Sequence, residues 1–413
     1  MDSELSVAIL PLTNLSGAEE LTYFGDGLAE EIINALTRVS GLRVTARTSS
    51  FAYRDREVDV RAIGRELGVI SVLEGSVRGG PNRVRITLQL IAASDGFHYW
   101  SDTFERSLED VFAVEDEISR LVADKLREHV RHFEFADQLL PRSEVTAAAH
   151  REFIRARYLV NRYNKPDVER GIAALTELTQ RYPHYDRPWL TLNRAYLYLG
   201  AIGALSAAES FPRARAALNQ ARAINPNSAE VQMRLGGVAF WEEWDLLATH
   251  RHLRRALERQ PGNAEAVLWL GVVYAAEANF STALHYVHEA RALDPHSVLV
   301  YDFLGSVHYF RGDFSAAEQA LRHALTLDPN YLMSHVQLGA VQLQSGRLEE
   351  GLKTFGELPA TGDHDLSRLG GVALAEALRG RVAVAREGLQ QLERATNNHA
   401  AADRALFFRL MIH

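Results

Sequence analysis

Residues 264–295 read AEAVLWLGVVYAAEANFSTALHYVHEARALDP, and residues 298–329 read VLVYDFLGSVHYFRGDFSAAEQALRHALTLDP. Laid over one another, the two stretches share Leu270-Gly271 with Leu304-Gly305, Ala283 with Ala317, Ala290 with Ala324, and Pro295 with Pro329. Pro226, Pro261, Pro295 and Pro329 recur at a nearly constant spacing of about 34 residues, and a fixed period of this length marks an array of identical supersecondary units. Each proline ends one helical hairpin, because its ring cannot continue the preceding helix. Gly271, Gly305 and Gly339 are placed to let neighbouring helices approach, while Ala283, Ala290, Ala317 and Ala324 fill the crossing within a pair. A coiled coil would need an unbroken heptad seam, which glycines and prolines at this period interrupt.

Working outward, Trp189, Leu192, Tyr196, Ala214, Leu218, Ala221 and Pro226 fit a unit with a stretched inter-helix loop around GAIGALSAAES. Tyr158, Gly171, Leu175, Leu178 and Pro183 form a degenerate first unit. Leu338-Gly339, Gly351 and Phe355 begin a sixth, and Leu369-Gly370 a seventh. Atypical end units are expected of a stack whose termini must be capped. The Leu-Gly pair, the small crossing residues and the terminal proline resemble the tetratricopeptide repeat over residues 148–396. That resemblance implies an all-α solenoid of six to seven helical hairpins, closed by a capping helix over 397–413.

Residues 1–132 have another rhythm. Ser6–Leu12 is a short apolar run, Tyr23–Ser40 alternates at helical spacing, Leu42–Arg47 is strand-like and Val58–Gly68 is helical. Ile70–Arg78 and Val84–Ala93 flank the turn GGPN and read as a hairpin, followed by a strand at Phe97–Arg106 and a helix at Leu108–Arg131. The order predicts an α/β domain with two helical crossovers and a hairpin extending a mixed sheet. VAILPLTNLSG, YFGDGLAEEIINAL, ARTSSFAYR, LGVISVLEGSVR, NRVRITLQLI and DGFHYWSDTFER resemble the TolB-like amino-terminal domain of bacterial proteins, which stands directly upstream of such repeats. The expected organisation is therefore a TolB-like domain over 1–132, a linker over 133–147 around Pro141, and the repeats. In related proteins a class III nucleotide cyclase or a winged-helix DNA-binding domain often precedes this pair. No such head, and no β-propeller of TolB itself, is visible here.

The chain has 413 residues, a net charge of −8 and no cysteine. Absence of thiols excludes disulfides, thiolate metal sites and cysteine nucleophiles. The acidic balance argues against a nucleic-acid-binding role, leaving room only for a local basic patch. No run approaches the roughly 18 apolar residues of a membrane helix, so no membrane insertion is expected. The chain as it stands reads as cytoplasmic, or periplasmic if a membrane-anchored head precedes it.

Candidate chemistry is sparse. GDGLAEE at 25–31 is the nearest approach to a phosphate-binding loop but lacks its lysine, and Asp26 is read as a helix cap. Glu115, Asp116 and Glu117 read as a solvated helix face. His285 with His288, and His129 with His132, lie one helical turn apart but outside any HExxH arrangement. There is no Gly-x-Ser-x-Gly elbow. The chain is expected to be no enzyme, with no cofactor, no metal and no catalytic residue.

The repeat resemblance implies that the first helix of each pair lines a concave surface. Counted from the Leu-Gly landmarks, that surface carries Met233, Phe240, Trp241, Leu268, Val272, Tyr309, Phe310 and Leu343, together with Gly237, Ala275, Asp302, Ser306, Val336 and Ala340. The lysine and asparagine that clamp a C-terminal carboxylate in chaperone-binding repeats are missing: the matching positions are Met233/Gly237, Leu268/Val272 and Asp302/Ser306. The expected role is a non-catalytic adaptor or sensor-transmitter holding a protein or peptide partner. The alternative is the sensory half of a cyclase or transcription regulator whose output head is absent.

Overall fold

The computed structural model describes residues 5–79, 83–107, 118, 121–122, 124–125, 145–202, 204–358 and 363–396. It divides into two compact units: Met1–Ala195 with Ala216–Leu270 and Glu289–His296, and Tyr196–Arg215 with Gly271–His288 and Ser297–His413. The amino-terminal sheet thus shares a unit with the first repeats, which follow the linker expected over 133–147. Most of that linker, 133–144, lies outside the described residues, as do most of the helix expected at Leu108–Arg131, Glu115–Glu117, His129, His132 and the capping segment 397–413.

In the first unit, β1 (Ser6–Ile9) pairs parallel with β3 (Arg43–Val44) on one side and β4 (Ser71–Gly79) on the other. The short β2 (Thr13–Asn14) also runs parallel to β4. β4, β5 (Arg83–Ala92) and β6 (His98–Ser107) continue as an antiparallel meander, giving the path β3-β1-β4-β5-β6. Parallel neighbours need crossover connections; α1 (Glu19–Leu36) supplies the first, and α2 (Arg47–Phe51) with α3 (Val60–Leu67) the second. The expected mixed sheet is present. Its core gathers Val7, Ile9, Leu28, Ile32, Leu73, Ile86 and Leu88, all buried.

Fourteen further helices among the described residues form seven consecutive pairs. These are α4/α5 (Ala147–Val160, Lys165–Arg181), α6/α7 (Asp186–Ala201, Ala207–Ile224), α8/α9 (Ala229–Trp241, Leu246–Arg259), α10/α11 (Ala264–Ala276, Phe280–Leu293), α12/α13 (Val298–Arg311, Phe314–Leu327), α14/α15 (Leu332–Gln344, Leu348–Gly356) and α16/α17 (Asp363–Leu378, Val382–Thr396). The repeat glycines have a steric reason. A Cβ on Gly271 would lie 2.8 Å from Val287 Cγ2 and 3.2 Å from the Ala283 carbonyl oxygen, so only glycine admits that crossing. Asp245 and Asp313 cap α9 and α13, accepting the amides of Ala248 and Ala316 at 2.8 and 3.2 Å.

Candidate functional site

The phrase GDGLAEE does not open a helix. It lies inside α1, which starts at Glu19, so Asp26 is no cap: it is buried and its carboxylate accepts from Arg54 Nη2 at 2.5 Å. Burial raises the Asp26 pKa, and Arg54 opposes that rise. The remaining residues of the phrase hold α1 against the repeats. A Cβ on Gly27 would lie 2.5 Å from Ile154 Cγ2 on α4, so its missing side chain lets the two helices meet.

Beyond Gly27, Glu30 and Glu31 enter a buried ionic network with α4 and α6. Arg157 of α4 reaches both carboxylates, Nε to Glu30 at 3.0 Å and Nη1 to Glu31 at 2.7 Å. Arg47 pairs with Glu30, and Arg187 with Glu31. Asn161 donates to Glu30 at 2.8 Å and accepts from Arg194 at 2.6 Å. The Arg157 and Arg187 guanidiniums stand 5.0 and 5.5 Å from the centroid of the Phe153 ring, a cation–π arrangement. Burial alone would push both glutamates up; for Glu30 the charges of Arg157, Arg47 and Arg194 overcome it, and for Glu31 those of Arg187 and Arg157. Both carboxyls are held well below the usual range. Both carboxylates are compensated by guanidiniums, and the network joins α1 to α4 and α6.

Two inter-repeat turns grip the same domain from elsewhere. Asp294, in the ALDP phrase, accepts from Ser49 twice, from its amide at 3.1 Å and its hydroxyl at 2.5 Å, and the Ser49 hydroxyl accepts from the His296 amide at 2.8 Å. The Ala46 amide donates to the Leu293 carbonyl at 2.8 Å. At the C-terminal end of α1, Thr37 accepts from the Gly262 amide at 3.0 Å through its carbonyl and from Gln260 at 2.7 Å through its hydroxyl. These residues were not singled out in the sequence. One signal was available: Tyr23, Phe24, Leu28, Ile33 and Leu36 are spread around the circumference of α1, and a helix with apolar side chains on more than one side must be covered on two sides.

The eight residues assigned to a concave surface separate by burial. Met233, Phe240, Leu268, Val272 and Leu343 are buried and pack the helices. For these five the reading as contact residues gives way to a core role, since a repeat buries the inter-helix side of both helices. Trp241 and Phe310 are exposed, 49% and 58%, and Tyr309 is half-buried beside Phe310 and Phe314. Asp302, also placed on that surface, is instead buried, accepting from Ser334 at 2.7 Å and Gln337 at 3.1 Å. Among the described residues no group of three or more His, Cys, Asp or Glu could hold a metal ion, and no helix is long and apolar enough to cross a membrane.

Family models described as tetratricopeptide repeat match residues 250–299 and 311–375. The chain contains tetratricopeptide repeats, the class of helical array that serves protein–protein interaction. A relative named "Putative adenylate cyclase 3", from Rhizobium meliloti (strain 1021), is 44% identical over 159 residues, which are 38% of this chain and 27% of that protein. The match therefore spans about a quarter of the relative's length. Among solved structures, the human IFIT1 dimer with m7Gppp-AAAA aligns at a TM-score of 0.53 and 12% identity, over 71% of this chain and 66% of that one. PilW, a type IV pilus biogenesis factor, aligns at 0.41 and 15%, over 52% and 93%. At such identities the first likeness is one of fold alone, and the second carries no argument.

Proposed function

We propose that this chain is a non-catalytic adaptor of the sensor-transmitter kind, in which a TolB-like amino-terminal domain is coupled to a repeat array that holds a protein partner. The observation that carries the reading is the docking of α1 on α4 and α6 through Glu30, Glu31, Arg157 and Arg187. Both α4 and α6 are first helices of their pairs, so whatever shifts α1 acts directly on the helices that a repeat uses for recognition. Exposed Trp241 in one unit and Phe310 in the other are the anchors retained from the concave-surface assignment, because large aromatics bury much area at little rotamer cost.

A photo-crosslinking residue at position 310 or 241, expressed in the native host, is expected to trap a discrete protein, whereas one at the exposed Glu177 is not. Failure of both aromatic positions to trap any protein would refute the adaptor reading. The cyclase relative favours a second reading, in which these residues are the interaction half of a nucleotide cyclase. In that case the trapped protein, or a longer form of this chain, carries cyclase activity.

A further inference from the structure

The turn between the two helices of a pair places one residue in the left-handed region at a regular interval. Trp244, Ala278, Gly312, Gly346 and Gly380 stand at the same place in successive pairs, with φ of 54°, 58°, 85°, 80° and 76°. Three of the five are glycine, which adopts this conformation freely; a bulky side chain there is strained, as is Tyr163 at the same place in the first pair, with φ of 48°. Trp244 gives little in exchange through packing, since it is 66% exposed. Strain at a position where the fold offers glycine as the relaxed solution points to a use outside the fold.

The surroundings supply that use. Trp241 and Leu247, 49% and 77% exposed, flank Trp244 on either side in the sequence. Beneath them buried Phe240 stands 4.9 Å from the Trp241 ring and 6.3 Å from the Trp244 ring, and Trp269 closes the cluster 6.0 Å from Trp241. Three of the chain's five tryptophans thus meet at one turn. The helix that follows carries Arg251 and Arg255 one turn apart, and Arg222 of α7, like them, lies within electrostatic reach of His252: all three are exposed and have no ion pair among the described residues. They and Glu243 act on His252, whose ring is fixed by Gln232 at 2.8 Å; after burial the arginine charges hold its pKa below the usual value, and Glu243 opposes them. Several other arginines of this acidic chain, among them Arg157, Arg187, Arg234, Arg347 and Arg379, are paired with carboxylates.

We infer that Trp241, Trp244 and Leu247, with Arg222, Arg251 and Arg255 beside them, form a docking surface for an acidic protein segment that carries apolar anchors. Tryptophan and arginine are the side chains that most often dominate interface energy, and uncompensated arginines draw carboxylates. Exposed Glu242, Glu243 and Asp245 at the tryptophan end oppose a continuous run of phosphates, as a nucleic acid would bring. A protein segment avoids that conflict by setting its carboxylates only over the arginines. This surface rests on the adaptor reading and gives it a partner chemistry and a place, the hairpin turn after α8.

The test is a yeast-displayed library of random peptides sorted on the full chain, followed by titration of the enriched peptides against variants. Enriched peptides are expected to combine Asp or Glu with leucine or aromatic residues. Trp244→Gly is expected to weaken them about 30-fold, and Arg251→Glu with Arg255→Glu at least about tenfold. Because glycine relieves the backbone, Trp244→Gly is expected to melt no lower than the parent chain; a fall of more than about 5 °C would show that Trp244 serves the fold and overturn the inference. Acidic peptides that bind both variants undiminished but are lost on Phe310→Ala would also overturn it while leaving the adaptor reading intact. Enrichment of no peptide at all would count against both. A short single-stranded RNA, used as a second probe, is expected not to bind; RNA binding that is lost in the same variants would assign the surface to a polyphosphate instead.

Discussion

Arg157 and Glu31, distant in the sequence, meet at 2.7 Å in a buried ion pair that fastens the first repeat to the helix between β2 and β3. The same guanidinium also reaches Glu30. Removing one partner of a buried charge pair leaves the other uncompensated, at a typical cost of about 3–5 kcal/mol. Arg157→Ala is therefore expected to lower stability by roughly 3 kcal/mol, with Arg47 and Arg187 limiting the loss. Chemical denaturation of the variant checks this; a change within about 0.5 kcal/mol, the usual effect of a surface substitution, would show that the network contributes little.

The acid limb of stability should carry the same signature. Glu30 and Glu31 have folded pKa values depressed below 4.5. A depressed carboxylate contributes stability that is complete above its unfolded pKa and is lost as pH falls through its folded one. The melting temperature is expected to fall as pH drops below about 4.5, and Arg157→Ala should flatten that dependence. Parallel pH profiles of the two proteins would contradict the assignment.

Gly27 and Ile154 make a steric test that involves no charge. Gly27→Ala places a methyl against Ile154 Cγ2, and neighbours in contact do not combine additively. The single change is expected to cost about 1–3 kcal/mol by overpacking. Ile154→Ala should lose stability by cavity formation, and the double variant should lose less than the sum. Strict additivity in this cycle would mean that α1 and α4 do not meet at this point.

Asp302 has the opposite sign from the glutamates. Burial pushes its carboxyl up to about 6 against an ordinary 3.8, with the Ser334 and Gln337 hydrogen bonds only partly opposing. A raised carboxyl pKa gives stability that is present at low pH and lost as pH rises through the folded value. Asp302→Asn, whose amide a rotated Gln337 can still meet, is expected to stabilise the protein at pH 7.5 by on the order of 2 kcal/mol and to give no gain near pH 4. An equal gain at both values would show that charge is not the cause.

Buried and exposed aromatics of the repeats should part company. Phe240→Ala is expected to cost about 3–5 kcal/mol, because that ring lies beneath Trp241 and Trp244. Phe310→Ala, at an exposed position, should change the melting temperature little. Equal losses in both would erase the separation between core and contact residues.

The repeat period was legible from the chain alone, because proline and glycine act on the backbone locally and recur once per hairpin whatever surrounds them. Most of the order of strands and helices before residue 107 was legible for the same kind of reason, since alternation and helical spacing are properties of short windows, but the two-residue β2 and the single-turn α2 were too short to leave such a pattern. Which side chains of a repeat face outward was not. Met233, Phe240 and Trp241 are all apolar and close in sequence, and only the packing of α8 on α9 and α10 buries the first two while leaving Trp241 in solvent. Nor could GDGLAEE be read correctly in isolation. A glycine that admits a neighbouring helix and one that turns a loop look alike until Ile154, far along the chain on α4, is found against it. Helix period and turn chemistry are written within a few residues. Ion pairs such as Glu31 with Arg157, and hydrogen bonds such as Asp294 with Ser49, depend on partners that only the folded chain brings together.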